Sequence, residues 1–212
     1  MTYYKAVGPD GTSFYDRETF WKVGQVTYID GVRGTALCQP GILHASDAPG
    51  EVLQGGRWPC RLFEVEPVLP LVAREGHKVG AHAWRVTAEL CAWQAFGPNG
   101  QEVIALIDRA RHLTRDDLRG CRDWYVNLNV ARESAWYTAW CAAGSGARSA
   151  AWKVAADTAR FAAWAAELLD GQDAVWYAVW YAVTAMVVRD LISPEDFDML
   201  AAPWHDAIGA LP

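Results

Sequence analysis

His44 is the side chain in this sequence best suited to moving a proton. It stands in the run Leu37-Cys38-Gln39-Pro40-Gly41-Ile42-Leu43-His44-Ala45-Ser46-Asp47-Ala48-Pro49. Gly41 permits a tight turn there, and Ile42-Leu43 can then enter a core, leaving His44 at its edge, at the entry to a loop or short helix. Further on, Arg61-Leu62-Phe63-Glu64-Val65-Glu66 reads as a strand. Glu64 and Glu66, two residues apart, fall on one face of it. An imidazole beside one or two carboxylates can do acid–base work, so His44, Glu64 and Glu66 are the catalytic candidates. The residues favour the structural alternative. In it, a ring nitrogen of His44 bonds main chain or a carboxylate such as Glu64, and the glutamates face water.

Other chemistry finds less support. Cys38, His44, Cys60, His77 and His82 could be considered as metal ligands, but none has a CxxC or HxxxH spacing. The sequence has no GxxxxGK[ST], GxGxxG or GxSxG, so no metal and no cofactor is expected. Gly55-Gly56-Arg57 could contact a phosphate, but such a turn is common, and Ser145 between glycines reads as a helix break before a nucleophile. The thiols Cys38, Cys60, Cys91, Cys121 and Cys141 are odd in number and scattered, which favours reduced cysteines over a disulfide framework.

Composition narrows the class. With 52% hydrophobic and 21% charged residues, wholesale disorder is excluded. A net charge of −6 gives no drive toward nucleic acid or an anionic membrane. The longest apolar run, 174–188, is 15 residues with one Thr among them, short of the roughly 18 to 20 a membrane span needs. The opening MTYYKAVGPDG has no apolar segment of the kind a secretory signal carries. A cytoplasmic protein is therefore expected.

The elements that would position these residues change character near residue 93. Strands are expected at 2–7, 22–29, 61–68 and the first half of 79–90, separated by turns such as Gly8-Pro9-Asp10-Gly11 and Asp30-Gly31. Beyond Gly97-Pro98-Asn99-Gly100, apolar spacing predicts helices at 101–113, 123–143, 147–169 and 173–192. Thr114 with Asp117 resembles a capping box, and Ser193-Pro194-Glu195-Asp196 is a helix start. The 12 tryptophans include Trp140, Trp152, Trp164 and Trp176 at a spacing of 12, with Trp136/Trp140 and Trp176/Trp180 at i,i+4. Trp136, Trp140, Trp152, Trp164, Trp176 and Trp180 read mostly as core fillers set against alanine faces, the alternative being that some are exposed and stack on bases or a partner. The fold class is α+β: a small, mostly antiparallel sheet over 1–92 and an Ala/Trp-rich helical bundle over 93–212, packed as one unit.

Three stretches in order, Val23-Gly24-Gln25-Val26-Thr27-Tyr28, Leu37 to Pro49, and Arg61 to Glu66, resemble a family of uncharacterised phage and bacterial proteins. Those carry VGKxY-like, LCxxGFHAC-like and RxFEVE-like stretches, and some continue into Ala/Trp-rich helices. The likeness covers about residues 1–90. This chain departs from it at Ile42-Leu43, where the family has one Phe, and at Ser46, where Cys is common. The resemblance implies a phage or prophage setting and no particular activity. The expectation is thus a phage-encoded accessory or interaction protein in the host cytoplasm, with a protein partner or self-association. The alternative is a nucleotide-using transferase, ADP-ribosyltransferase-like, with a pocket near His44. Short strands and the Tyr3-Tyr4 start fit that alternative loosely.

Overall fold

The computed structural model describes residues 1–31, 33–114, 116–117, 121, 130–144, 146, 149, 152–153, 155–157 and 172–212. The chain divides into two compact units. The first is Met1–Gly97 with Ser145–Ala147, and the second is Pro98–Gly144 with Arg148–Pro212. The boundary expected at 92/93 therefore falls at 97/98, because the 3-10 turn Ala92–Phe96 buries Ala95 and Phe96 with the strands before it.

The first unit is a seven-stranded antiparallel sheet. Its strands are β1 (Tyr3–Val7), β2 (Val26–Tyr28), β3 (Leu43–Ser46), β4 (Arg61–Pro67), β5 (Ala73–Glu75), β6 (Lys78–Ala81) and β7 (Ala83–Leu90), in the order β2-β7-β4-β1-β3-β6-β5. Both halves of 79–90 are strand, where only the first was expected. The second half gains its ladder from β4 (Leu62 opposite Leu90, Val65 opposite Val86). Conversely, the run 22–29 forms strand only over Val26–Tyr28. His44 lies on the short strand β3, which pairs with β1 on one side and β6 on the other, and the short helix expected near Asp47-Ala48-Pro49 follows it as a 3-10 turn at Pro49–Glu51.

This sheet is rolled. One residue, His82, joins β6 to β7, yet β3, β1 and β4 lie between them in the ladder. Strands that far apart in a flat sheet meet only if the sheet curls. Trp84 of β7 shows the closure: its Nε1 donates to the Leu43 carbonyl of β3 at 3.0 Å. The inner face is a core of Tyr3, Val7, Leu43, Ala45, Phe63, Val65, Val79, Ala81, Trp84 and Val86, with Trp21 beside them. Side chains alternate between the faces of a strand, which is why odd-numbered positions of β1, β3, β4 and β6 supply it.

The second unit is helical: α1 (Gly100–Ala110), α2 (Val130–Ala142), α3 (Gln172–Val188) and α4 (Pro194–Ala207). Every residue from Ala178 to Val188 is buried, so this part of α3 runs through the interior of the unit. Rings of Trp136, Trp140, Trp152, Trp176 and Trp180 form a cluster with centroids 4.8–6.5 Å apart. Trp180 is buried, whereas Trp152 is 44% exposed and so does not fill a core. Most of the helix expected at 147–169, with Trp164, lies outside the described residues, as does most of the turn after Thr114. No helix among the described residues is long and apolar enough to cross a membrane.

Candidate functional site

The loop leading into β3 is organised around His44. Cys38 has φ +63° and Gly41 φ +76°, both left-handed, so the backbone doubles back before Ile42. Gly41 adopts that geometry at no steric cost, whereas Cys38 needs support. His44 supplies it: the Cys38 amide donates to His44 Nε2 at 2.9 Å. The loop also lies close to β6. A Cβ on Gly80 would come within 2.8 Å of Leu37 Cδ2 and 2.7 Å of Ile42 Cγ2, so any larger residue there would have to push these side chains aside.

The electrostatics suit an accepting imidazole. Burial, reinforced by the positive charges of Lys78 and Lys5, pushes the His44 pKa down from 6.5 to about 4. The ring is neutral, and its Nε2 lone pair is already taken. Glu64 and Glu66 sit on β4, with β1 between them and β3. The hydrogen bond expected of His44 is present and goes to main chain. The ring accepts it, and Glu64 is not its partner.

Sequence reasoning missed three other groups. Lys78 of β6 donates from Nζ to Cys38 Sγ at 3.1 Å, forty residues away in the chain. Asp47 bonds His77 Nδ1 at 2.7 Å and pairs with Arg74, tying the end of β3 to the β5–β6 hairpin. Lys5 falls in step with Tyr3 and Val7 on the inner face, directly opposite Phe63, with Nζ 5.0 Å from the centre of the Trp21 ring. Burial lowers the Lys5 pKa from 10.5 to about 8, although Asp16 opposes the shift. The signal for Lys5 was present in the alternation of β1. Nothing local signalled Lys78.

The thiols differ sharply. Cys60 and Cys121 are buried, and burial pushes both from 9.0 up to about 12. Cys38, Cys91 and Cys141 are exposed. Among the described residues, no three His, Cys, Asp or Glu side chains cluster as metal ligands.

A second feature lies at the sheet edge. Among the described residues, β2 pairs with β7 alone and ends the ladder. Thr27 is buried, with its hydroxyl donating to the Phe20 carbonyl at 3.0 Å, while Val26 and Tyr28 are 37% and 59% exposed. Beside them is a cavity of about 210 Å³, lined by Tyr28, Ile29, Asp30, Arg33, Leu69 and His82 among others. His44 does not line it. Ile29, Val68 and Leu69 add further exposed apolar surface. No family model, curated protein or solved structure matches the chain.

Proposed function

We propose that this chain is a binding protein that takes an extended segment of a partner protein along the free edge of β2. The observation that carries this reading is an edge strand of sequence Val-Thr-Tyr, paired on one side only among the described residues, with apolar surface and a cavity beside it. Edge strands are usually blunted by charge, proline or a bulge, because their unpaired amides and carbonyls recruit other chains. A strand laid against β2 would satisfy those groups and send alternate side chains toward Tyr28, Ile29 and Leu69. Asp30 and Arg33 at the rim suit a partner carrying both signs of charge near the contact. The resemblance of residues 1–90 to phage and bacterial proteins supports a phage or host protein as that partner, in the host cytoplasm.

The test is selection from a random peptide display library against the full chain. Enriched peptides should alternate apolar residues and shift the amide signals of 26–28. They should also lose binding to Tyr28→Lys. No enrichment, or peptides that bind Tyr28→Lys equally well, would overturn the reading. So would a stable dimer formed through the same edge, seen by sedimentation.

A further inference from the structure

We propose that Cys38 and Lys78 form an oxidant-responsive modification site, closing into a direct covalent sulfur–nitrogen link. This stands apart from the partner-binding reading and involves different residues. Both ends of the link are held in place before any reaction. Cys38 is fixed by its left-handed backbone and by the hydrogen bond its backbone N–H donates to His44 Nε2. Lys78 is fixed on β6, opposite Ser46 of β3. Their reacting atoms already lie 3.1 Å apart. Cys38 is exposed, so a small oxidant reaches the sulfur. The form of a thiol that attacks peroxide is the thiolate.

The chemistry balances with hydrogen peroxide as the oxidant. The Cys38 thiolate attacks the O–O bond, giving sulfenic acid and hydroxide, with sulfur oxidised and peroxide reduced. The hydroxide takes a proton from the adjacent Lys78 ammonium and becomes water. The freed amine then attacks sulfur, the S–O bond breaks, and a second water leaves with one amine hydrogen. Sulfenic acids condense with a backbone nitrogen to a sulfenamide, and the Lys78 amine would form the same S–N bond. Thiolate, ammonium and one peroxide thus give one S–N bond and two waters. Because hydroxide is released next to the ammonium, Lys78 loses its proton at the moment it must act as a nucleophile.

The test treats the full chain with graded hydrogen peroxide, digests it with trypsin without reductant, and reads the peptides by mass spectrometry. The expected product joins segment 34–57 to segment 75–85, uncut at Lys78, with a mass equal to their sum less two hydrogens. Dithiothreitol should separate the two. Lys78→Arg retains a cation beside the sulfur and should abolish the link, leaving Cys38 as sulfinic acid. The proposal is overturned if wild-type Cys38 ends as sulfinic acid or a disulfide while trypsin still cuts after Lys78. A link carrying an added oxygen, or one that persists in Lys78→Arg, also overturns it. Cys60 and Cys121 provide internal references for an intact fold and should stay unmodified.

Discussion

His44 Nε2 accepts the amide hydrogen of Cys38 at 2.9 Å, so a side chain on β3 sets the backbone of a residue six positions earlier. The bond requires a neutral ring, which the environment enforces. Replacing His44 with Ala leaves a left-handed Cys38 without its acceptor and should lower stability by about 1 to 3 kcal/mol. Gln, which offers a carbonyl, should recover part of that. Urea unfolding of the two variants beside wild type measures both.

The same residue predicts an acid-side pH dependence. In the unfolded chain the ring titrates near 6.5, and in the folded chain near 4. Between those values the unfolded state binds a proton that the folded state does not, so stability falls as pH drops from about 6.5 to about 4. Hydrogen bonds from Thr12 hold Asp10 below its ordinary range, and Arg61 does the same for Glu89, so their contributions are lost at lower pH. Melting temperatures at intervals across pH 4 to 7 should show a decline in wild type that is shallower in His44→Gln. Parallel curves would remove His44 from the explanation.

Local signals in the sequence were readable wherever the determinant was local. Ser193 caps α4 as its type and spacing implied: its Oγ accepts the Asp196 amide at 3.1 Å, and Pro194 opens the helix. Thr114 and Asp117 cap each other reciprocally, at 2.7 and 3.3 Å. The strand β3 was not readable. Leu43-His44-Ala45-Ser46 is only four residues long and follows a Pro-Gly turn. It becomes strand through β1 and β6, one earlier and one much later in the chain. The Cys38–Lys78 contact was hidden for the same reason. So was the roll of the sheet, which depends on a single residue, His82, between two strands.

Ser193→Ala removes one acceptor at the start of α4 and should cost about 0.5 to 2 kcal/mol. Ser193→Asp retains an acceptor at a position where negative charge is also favoured, and it should stay near wild type. Thermal unfolding followed by circular dichroism distinguishes the two. Equal losses in both variants would mean that the cap does not stabilise α4.

Thr184, in the middle of α3, is buried, and its hydroxyl has no hydrogen-bond partner among the described residues. A buried, unpaired hydroxyl is a net cost, and valine keeps the branched shape without it. Thr184→Val should raise stability by on the order of 1 kcal/mol. A loss of stability measured by denaturant unfolding would show that the hydroxyl is satisfied after all.

Lys5 gives the alkaline counterpart of His44. It lies in the middle of β1 among residues that build the inner core, its ammonium over the face of Trp21. That cation–π contact and Asp16 favour the charge, but burial outweighs them and brings the folded pKa down to about 8, against 10.5 unfolded. Between those values the unfolded chain binds the extra proton, so stability from Lys5 rises with pH from about 8 to about 10.5. Cys60 and Cys121 act in the opposite direction above about 9, because their folded pKa values are raised to about 12. The difference between wild type and Lys5→Met therefore carries the test. Methionine fills a similar volume with no charge to desolvate. At pH 7 the variant should melt higher than wild type. As pH rises through 8 to 10.5 the two curves should converge, since wild type sheds its buried charge. A variant that melts lower at pH 7 would show that the Trp21 and Asp16 contacts outweigh desolvation, and that Lys5 is an anchor of the rolled sheet instead of a strain within it.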